Sequence, residues 1–176
     1  ALAEMGCFRL WLGSESGSQR ILDAMRRDVQ VEQVRWATHA LQKRSIEVGL
    51  FIMLGYEQED ESDLAATVAH LKAANPNTFL TTVAYPIKGT PYYDTVAPRV
   101  LARRPWQQRT DRDLEVAGRH SRHYYDFAAR WMVGAVALRQ QRTSAKRDWA
   151  RVAKSVANIG VGRLGMALTS TVNSQQ

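Results

Sequence analysis

The sequence predicts an α/β protein: a small parallel sheet built by alternating strands and helices, followed by a helical region. Three observations carry that expectation. Apolar, β-branched segments recur at FRLWLG, EVGLFIML and TFLTTVAY. Helical apolar spacing fills the intervals between them. Beyond Pro98 both the charge and the periodicity change.

The elements follow in order. Phe8–Gly13 reads as a short buried strand. Ser18 is placed to cap a helix over Gln19–Met25, because its hydroxyl can accept from the free amides of a first turn. A second helix is expected over Val31–Arg44, with Val31, Val34, Ala37 or Thr38, and Leu41 on one face. Glu47–Leu54 is almost continuously apolar, as a parallel strand covered on both faces should be. Asp60 or Ser62 caps the next helix, which buries Leu64, Val68 and Leu71 and stops at Asn75-Pro76-Asn77. Thr78–Tyr85 is the third strand. Connections of this length imply crossovers and parallel pairing.

After Tyr85 the character changes. Five turn-forming residues, Pro86, Gly89, Pro91, Pro98 and Pro105, predict little regular structure from 86 to 105. A helical pattern is expected from Asp111 to about Gln141, and a further basic helix over Ser144–Ala157. The Gly- and Ser-rich end, GVGRLGMALTSTVNSQQ, is expected to fray. The first residue, Ala1, stands almost directly before a strand, which reads as a cut in a longer sequence.

Composition narrows the function classes. The apolar fraction of 45% can supply a core, and no apolar run reaches the length of a membrane span. No signal peptide opens the chain. The single cysteine, Cys7, forms no disulfide framework and fits a reducing, cytoplasmic compartment. No Cys/His cluster has metal spacing. His120 and His123 stand at i, i+3 without a third ligand, so no metal site is expected. The net charge of +7 is uneven: residues 1–98 carry −3 and residues 99–154 carry +9. The expected division is therefore 1–98 and a basic helical extension over 99–176. A basic face can meet nucleic acid, an anionic lipid surface or an acidic partner, but no nucleic-acid motif accompanies this one.

In a parallel α/β sheet, ligands bind at the carboxyl ends of the strands. Three segments fall there: Gly13-Ser14-Glu15-Ser16-Gly17-Ser18, Gly55-Tyr56-Glu57-Gln58-Glu59, and Tyr85-Pro86-Ile87-Lys88-Gly89-Thr90. Each combines glycine with polar groups, and Arg27 is long enough to reach back toward Glu15. Each is also an ordinary composition for a strand-to-loop turn. No histidine lies in these loops, so a Ser/His/Asp arrangement is unsupported. GSESGS does not fit the dinucleotide fingerprint G-x-G-x-x-G.

Taken together, LGSESGSQRILDAMRR, VGLFIMLGYEQEDESDL and TTVAYPIKGTPYYD resemble the later half of the radical S-adenosylmethionine (SAM) barrel, closest to the subfamily carrying an N-terminal cobalamin-binding domain. GRHSRHYYDFAARWM is similar to the helical tail of those proteins. The resemblance implies the C-terminal half of a parallel (β/α) partial TIM-type barrel followed by a helical extension. It implies that Glu15 and Arg27 hold the amino-acid end of SAM, that Ser14 and Ser16 contact the ribose or the amino acid, that Phe51, Met53 and Gly55 lie near the adenosyl group, and that Tyr85 lies at the adenine edge. The cofactors implied for the full-length enzyme are SAM, a [4Fe–4S] cluster and cobalamin. The implied partners are a small-molecule substrate and a reductant such as a flavodoxin or ferredoxin. The full enzyme would cleave SAM to a 5′-deoxyadenosyl radical and drive a methylation or an oxidative rearrangement.

The departures from the family pattern are specific. Glu57-Gln58-Glu59 replaces the usual Pro-Gly-Glu, so only Glu59 is kept. Ser45 stands where a helix-ending glycine is common, and Gln30 where a capping threonine is common. The CxxxCxxC motif that ligates the cluster is absent from this sequence. Two alternatives therefore stand beside the enzyme: a catalytically inactive SAM-like half-barrel acting as a binding partner, and a basic helical module for nucleic acid or acidic membrane.

Overall fold

The computed structural model describes residues 1–102, 105–108, 110–144 and 146–170. Three strands, β1 (Arg9–Glu15), β2 (Glu47–Leu54) and β3 (Thr78–Val83), pair in parallel in the order β1-β2-β3. Helices α1 (Gln19–Ala24) and α2 (Val31–Gln42) connect the first two strands, and α3 (Glu61–Ala74) connects the second pair. The register sets Leu12 beside Leu50 and Leu50 beside Phe79.

The sheet has two unlike faces, as the two-residue period of a strand requires. Val48, Leu50, Ile52 and Leu54 point into the core and are buried. They pack with Val34 of α2 and with Leu64, Val68 and Leu71 of α3. On the opposite face lie Trp11, Phe51 and Leu80, all exposed. The expectation of a β2 covered on both faces is corrected here: helices cover one face, and the continuous apolar run EVGLFIML also supplies the open one.

Caps explain where the helices begin. Asp60 accepts from the amides of Ser62 and Asp63 at the start of α3. At α2 the Gln33 side chain accepts from the Gln30 amide at 2.8 Å, while the Gln30 side chain makes no capping hydrogen bond. Ser18 stands at the cap position of α1 but makes no capping bond; its hydroxyl is committed to Asp63 instead. Two positions that the resemblance assigns to glycine, Ser45 and Gln58, have φ of 58° and 62°, the left-handed region that favours glycine.

The region after β3 departs most from expectation. A helix, α4 (Pro91–Val96), forms where irregular chain was predicted. Thr90 caps it and Pro91 occupies its first position, where a missing N–H costs nothing. Residues 111–121 are not helical. Asp111–Asp113 is one 3-10 turn, and β4 (Val100–Leu101) pairs antiparallel with β5 (Glu115–Val116). The long helix α5 begins at Arg122 and runs to Thr143. The basic helix expected over Ser144–Ala157 is α6, and it spans Trp149–Leu168. Its glycine-rich half is helical rather than frayed; the last six residues of the sequence lie outside the described residues.

The glycines of α6 account for that correction. A Cβ on Gly162 would stand 2.7 Å from Trp131 N, and one on Gly165 would stand 2.2 Å from the Phe127 ring. A Cβ on Gly134 of α5 would likewise stand 2.7 Å from Ser155 O. The two helices thus approach at backbone distance, and the glycines are contacts rather than breaks. Tyr124, Tyr125, Ala128, Trp131, Met132 and Met166 join the same hydrophobic cluster as Leu50 and Leu71. The segments on either side of Pro98 therefore share one core.

Candidate ligand rim at the ends of the strands

The loop GSESGS is a polar seam stitched to α3. Ser14 Oγ lies 2.9 Å from His70 Nε2, and Arg35 Nε donates to His70 Nδ1 at 3.2 Å. Because Nδ1 accepts, the ring proton sits on Nε2, which donates to Ser14. Thr67 Oγ1 donates to the carbonyl of Asp63 at 3.0 Å, so it must accept from Gly17 N at 2.9 Å and from the Ser16 hydroxyl at 3.2 Å. Ser18 Oγ donates to Asp63 Oδ1 at 2.6 Å, and Arg20 pairs with the other oxygen of the same carboxylate. Gly17 is required by proximity: a Cβ there would sit 2.5 Å from Thr67 Cα and from His70 Cβ.

This seam decides where the loop's side chains go. Ser14 and Ser16 are fully buried and face α3, so neither hydroxyl opens onto the rim. Glu15 goes the other way. A β-bulge between Gly13 and Glu15 and a left-handed φ of 56° at Glu15 turn its side chain back over the open face. There its Oε1 meets Arg27 Nη2 at 3.3 Å. Gly13 is the floor beneath the pair: a Cβ on it would lie 2.8 Å from Glu15 Oε1 and 2.9 Å from Arg27 Nη2. The side chain of Glu15 is 17% exposed and that of Arg27 45%.

Burial raises the pKa of Glu15, and the Arg27 guanidinium opposes that rise. A half-exposed ion pair of this kind adds little to stability, about 0–1 kcal/mol. Beyond Glu15, Arg27 has no side-chain hydrogen-bond partner among the described residues, which leaves most of its five donors free.

The surface beside the pair is apolar and partly aromatic. Phe51 is the register partner of both Gly13 and Leu80. Its ring stacks on Trp11, with centroids 4.7 Å apart. Trp11 in turn covers Gly49, where a Cβ would stand 2.4 Å from the indole. Met53, two residues on from Phe51, shares this face, half-buried.

Gly55 and Tyr85 are placed differently. Gly55 turns with φ of 71°, and Tyr125 packs 2.7 Å from where its Cβ would be. Its amide donates to Glu59 Oε2. Burial, with Asp63 and Asp60 adding to it, pushes Glu59 up to about 8 against the Gly55 amide and Arg119. Glu59 Oε1, Glu57 Oε1 and Arg119 Nε are buried without partners. Tyr85 lies under the Arg112 guanidinium, 5.9 Å from the ring centre. It lines a cavity of about 400 Å³ bounded by β3, residues 112–115 and the start of α5. Of the eight residues expected at the cofactor, Tyr85 alone lines that cavity. The structure thus brings Glu15, Arg27 and Phe51 together over Gly13, with Met53 on the same face, buries Ser14 and Ser16, and sets Tyr85 apart.

No protein-family model matches the chain, and no curated protein matches it significantly.

His70 is the residue that sequence reasoning missed. It is fully buried, and burial with the neighbouring Arg35 charge lowers its pKa to about 4, Glu32 opposing. A signal for it existed. Asp63, Thr67 and His70 fall at i, i+4 and i+7, one polar stripe on an otherwise apolar helix face. The other expected histidines serve locally: His120 stacks on Tyr124 at 4.0 Å, and His123 faces Asp126. No group of three or more metal-ligating side chains occurs among the described residues. No helix of the described residues is long and apolar enough to cross a membrane.

Proposed function

We propose that this chain is the later part of a radical SAM barrel and supplies the site for the amino-acid end of SAM. The observation that carries the reading is the Glu15–Arg27 pair, 3.3 Å apart, raised over Gly13 at the rim of a parallel sheet with an open apolar face. The two groups match the two ends of an amino acid. The Glu15 carboxylate can accept from an ammonium, and the free donors of Arg27 can bind a carboxylate in a forked pair. Phe51 and Met53 offer an apolar bed for the nucleoside. Gly13, lacking a Cβ, lets the Glu15–Arg27 pair itself settle against the sheet beside that bed.

SAM, once bound and reduced at a cluster, is the source of a 5′-deoxyadenosyl radical. The residues of this chain do not fit the cluster itself. Cluster ligation needs several thiolates, and Cys7, whose Sγ lies 3.6 Å from the Arg9 carbonyl, is the single cysteine. Any cluster would be held by residues outside this sequence, and no step here runs through it. The same fact favours a second reading, an inactive SAM-like half-barrel that binds without radical chemistry. In both readings the part played by these residues is binding and orientation.

Competition tests the reading. Radiolabelled SAM in equilibrium dialysis against the chain should be displaced by free methionine, because the anchor is the amino-acid end. Adenosine should displace it less well. Displacement by adenosine but not by methionine would contradict the assignment.

A further inference from the structure

The outer side of α6 does not follow from a SAM site. The helix is seated on α5 through Ser155, Gly162, Gly165 and Met166, all buried. Arg163 fixes it further, pairing with Glu61 at 2.9 Å and lying over the Trp131 ring at 4.7 Å. The exposed side of α6 carries Trp149, Val156, Val161, Leu164 and Leu168, with alanines and Gly160 between them. Trp149 is 71% exposed, Leu164 62% and Leu168 74%. Isolated exposed apolar residues are ordinary, but a contiguous face along a whole helix marks an interaction surface.

The charge beside this face says what covers it. From Leu138 to Ser170 the sequence holds seven Lys/Arg and one acidic residue, Asp148. Six of the seven cluster at one end: Arg139, Arg142, Lys146, Arg147, Arg151 and Lys154. Asp148 is already committed, capping α6 at Arg151 N and pairing with the Arg151 side chain. Between the end of α5 and the start of α6 lies a groove of about 210 Å³, walled by Leu138, Trp149, Val152 and Val156 and by Arg142 and Arg147. An aliphatic and aromatic groove next to two guanidinium groups suits an acyl chain beside an anionic headgroup.

We propose that α6 docks the protein on the surface of an anionic phospholipid bilayer, lying in the plane of the interface. Its apolar side would enter the boundary of the acyl chains, Trp149 would sit at headgroup depth, and the cation cluster would face the anionic lipid. A second copy on the same face is the weaker occupant. The later half of α6 holds Arg163 and no carboxylate, so a partner helix offers those cations nothing to pair with. Nucleic acid would answer the cations and leave the apolar face exposed.

Sedimentation of the full chain with vesicles tests this, using phosphatidylcholine alone and phosphatidylcholine mixed with phosphatidylglycerol. Binding to the mixed vesicles should be at least about tenfold tighter and should weaken with added salt. Leu164→Glu with Leu168→Glu should reduce it at least about tenfold. Trp149→Ala and Arg147→Glu, both at exposed positions, should each weaken it as well, which keeps the test valid if the double variant does not fold. Brominated lipid should quench emission in the native chain more than in Trp149→Phe. Equal binding to both vesicle types would overturn the proposal, as would binding indifferent to these substitutions. A dimer that Leu164→Glu dissociates, with no vesicle binding, would overturn it too and assign the face to self-association. None of these outcomes depends on whether the rim binds SAM.

Discussion

Glu15 and Gln58 are both non-glycine residues held in left-handed backbone, with φ of 56° and 62°, yet they invite opposite treatment. At Glu15 the conformation aims a carboxylate over Gly13 beside Arg27, so the strain accompanies the ion pair on which the proposed site rests. At Gln58 no such use is evident: the side chain is exposed, and the backbone carbonyl accepts from Arg20 at 3.0 Å. Gln58→Gly keeps that carbonyl and relieves the steric cost of the left-handed region. Glycine's added freedom in the unfolded chain offsets part of the gain. The net expectation is a stabilisation of roughly 0.5 kcal/mol, read as a higher urea midpoint with unchanged slope. A loss of stability would mean that the Gln58 side chain has a role the geometry does not reveal.

The helix pair α5–α6 offers a sharper contrast. Gly162 has Trp131 N within 2.7 Å of where a Cβ would be, whereas Gly160 has open space. Gly162→Val should cost ~1–3 kcal/mol by overpacking, and Gly160→Ala should gain ~0.5–1 kcal/mol from helix propensity. Thermal melts of both variants check this, and two changes of the same sign would contradict the close-packed interface. The same helix marks the limit of what could be read in the sequence. The strands were legible because apolar runs with β-branched residues, such as EVGLFIML, are bounded by turn residues and too short for a buried helix, although the run did not show that one face of β2 stays open. The glycine-rich end of α6 suggests fraying from the sequence because its packing partner lies on another helix, and local pattern carries no such information. The helical start expected at Asp111 failed for a related reason: Leu114 and Ala117 stand three apart, a spacing that suits a helix, but Leu114 precedes the strand β5 and Ala117 follows it. At the rim, the approach of Arg27 to Glu15 was readable, because a side chain that long can reach back from the end of α1. The inward turn of Ser14 and Ser16 was not, because it depends on His70 and Thr67 more than fifty residues away.

Across the molecule, two buried groups set opposite responses to pH. His70 is held neutral, its pKa lowered from 6.5 to about 4. Unfolding takes up a proton below pH 6.5, so stability falls as pH drops from 6.5 toward 4. Glu59 is held protonated, its pKa raised from 4.5 to about 8. Unfolding releases that proton above pH 4.5, so stability falls as pH rises from 4.5 through 8. Between 4.5 and 6.5 the two trends offset each other. Stability should therefore be level across that window and fall by about 2 kcal/mol from pH 6.5 to 8. Glu59→Gln, which cannot ionise, should abolish the alkaline fall and leave the acid one. Urea melts across this range check both limbs, and an unchanged alkaline limb in the variant would remove Glu59 from its cause.

We propose above that Glu15 and Arg27 receive the amino-acid end of SAM. That proposal is tested most directly by titrating SAM into the isotopically labelled chain and following backbone amide resonances in the native protein, Arg27→Ala and Arg26→Ala. The account predicts saturable shifts at Gly13, Glu15, Arg27 and Phe51. It predicts affinity weakened by ~1.5–3 kcal/mol in Arg27→Ala, the range for a hydrogen bond to a charged group, and little change in Arg26→Ala, whose side chain is exposed. No shifts at these residues, or equal losses in the two arginine variants, would contradict it.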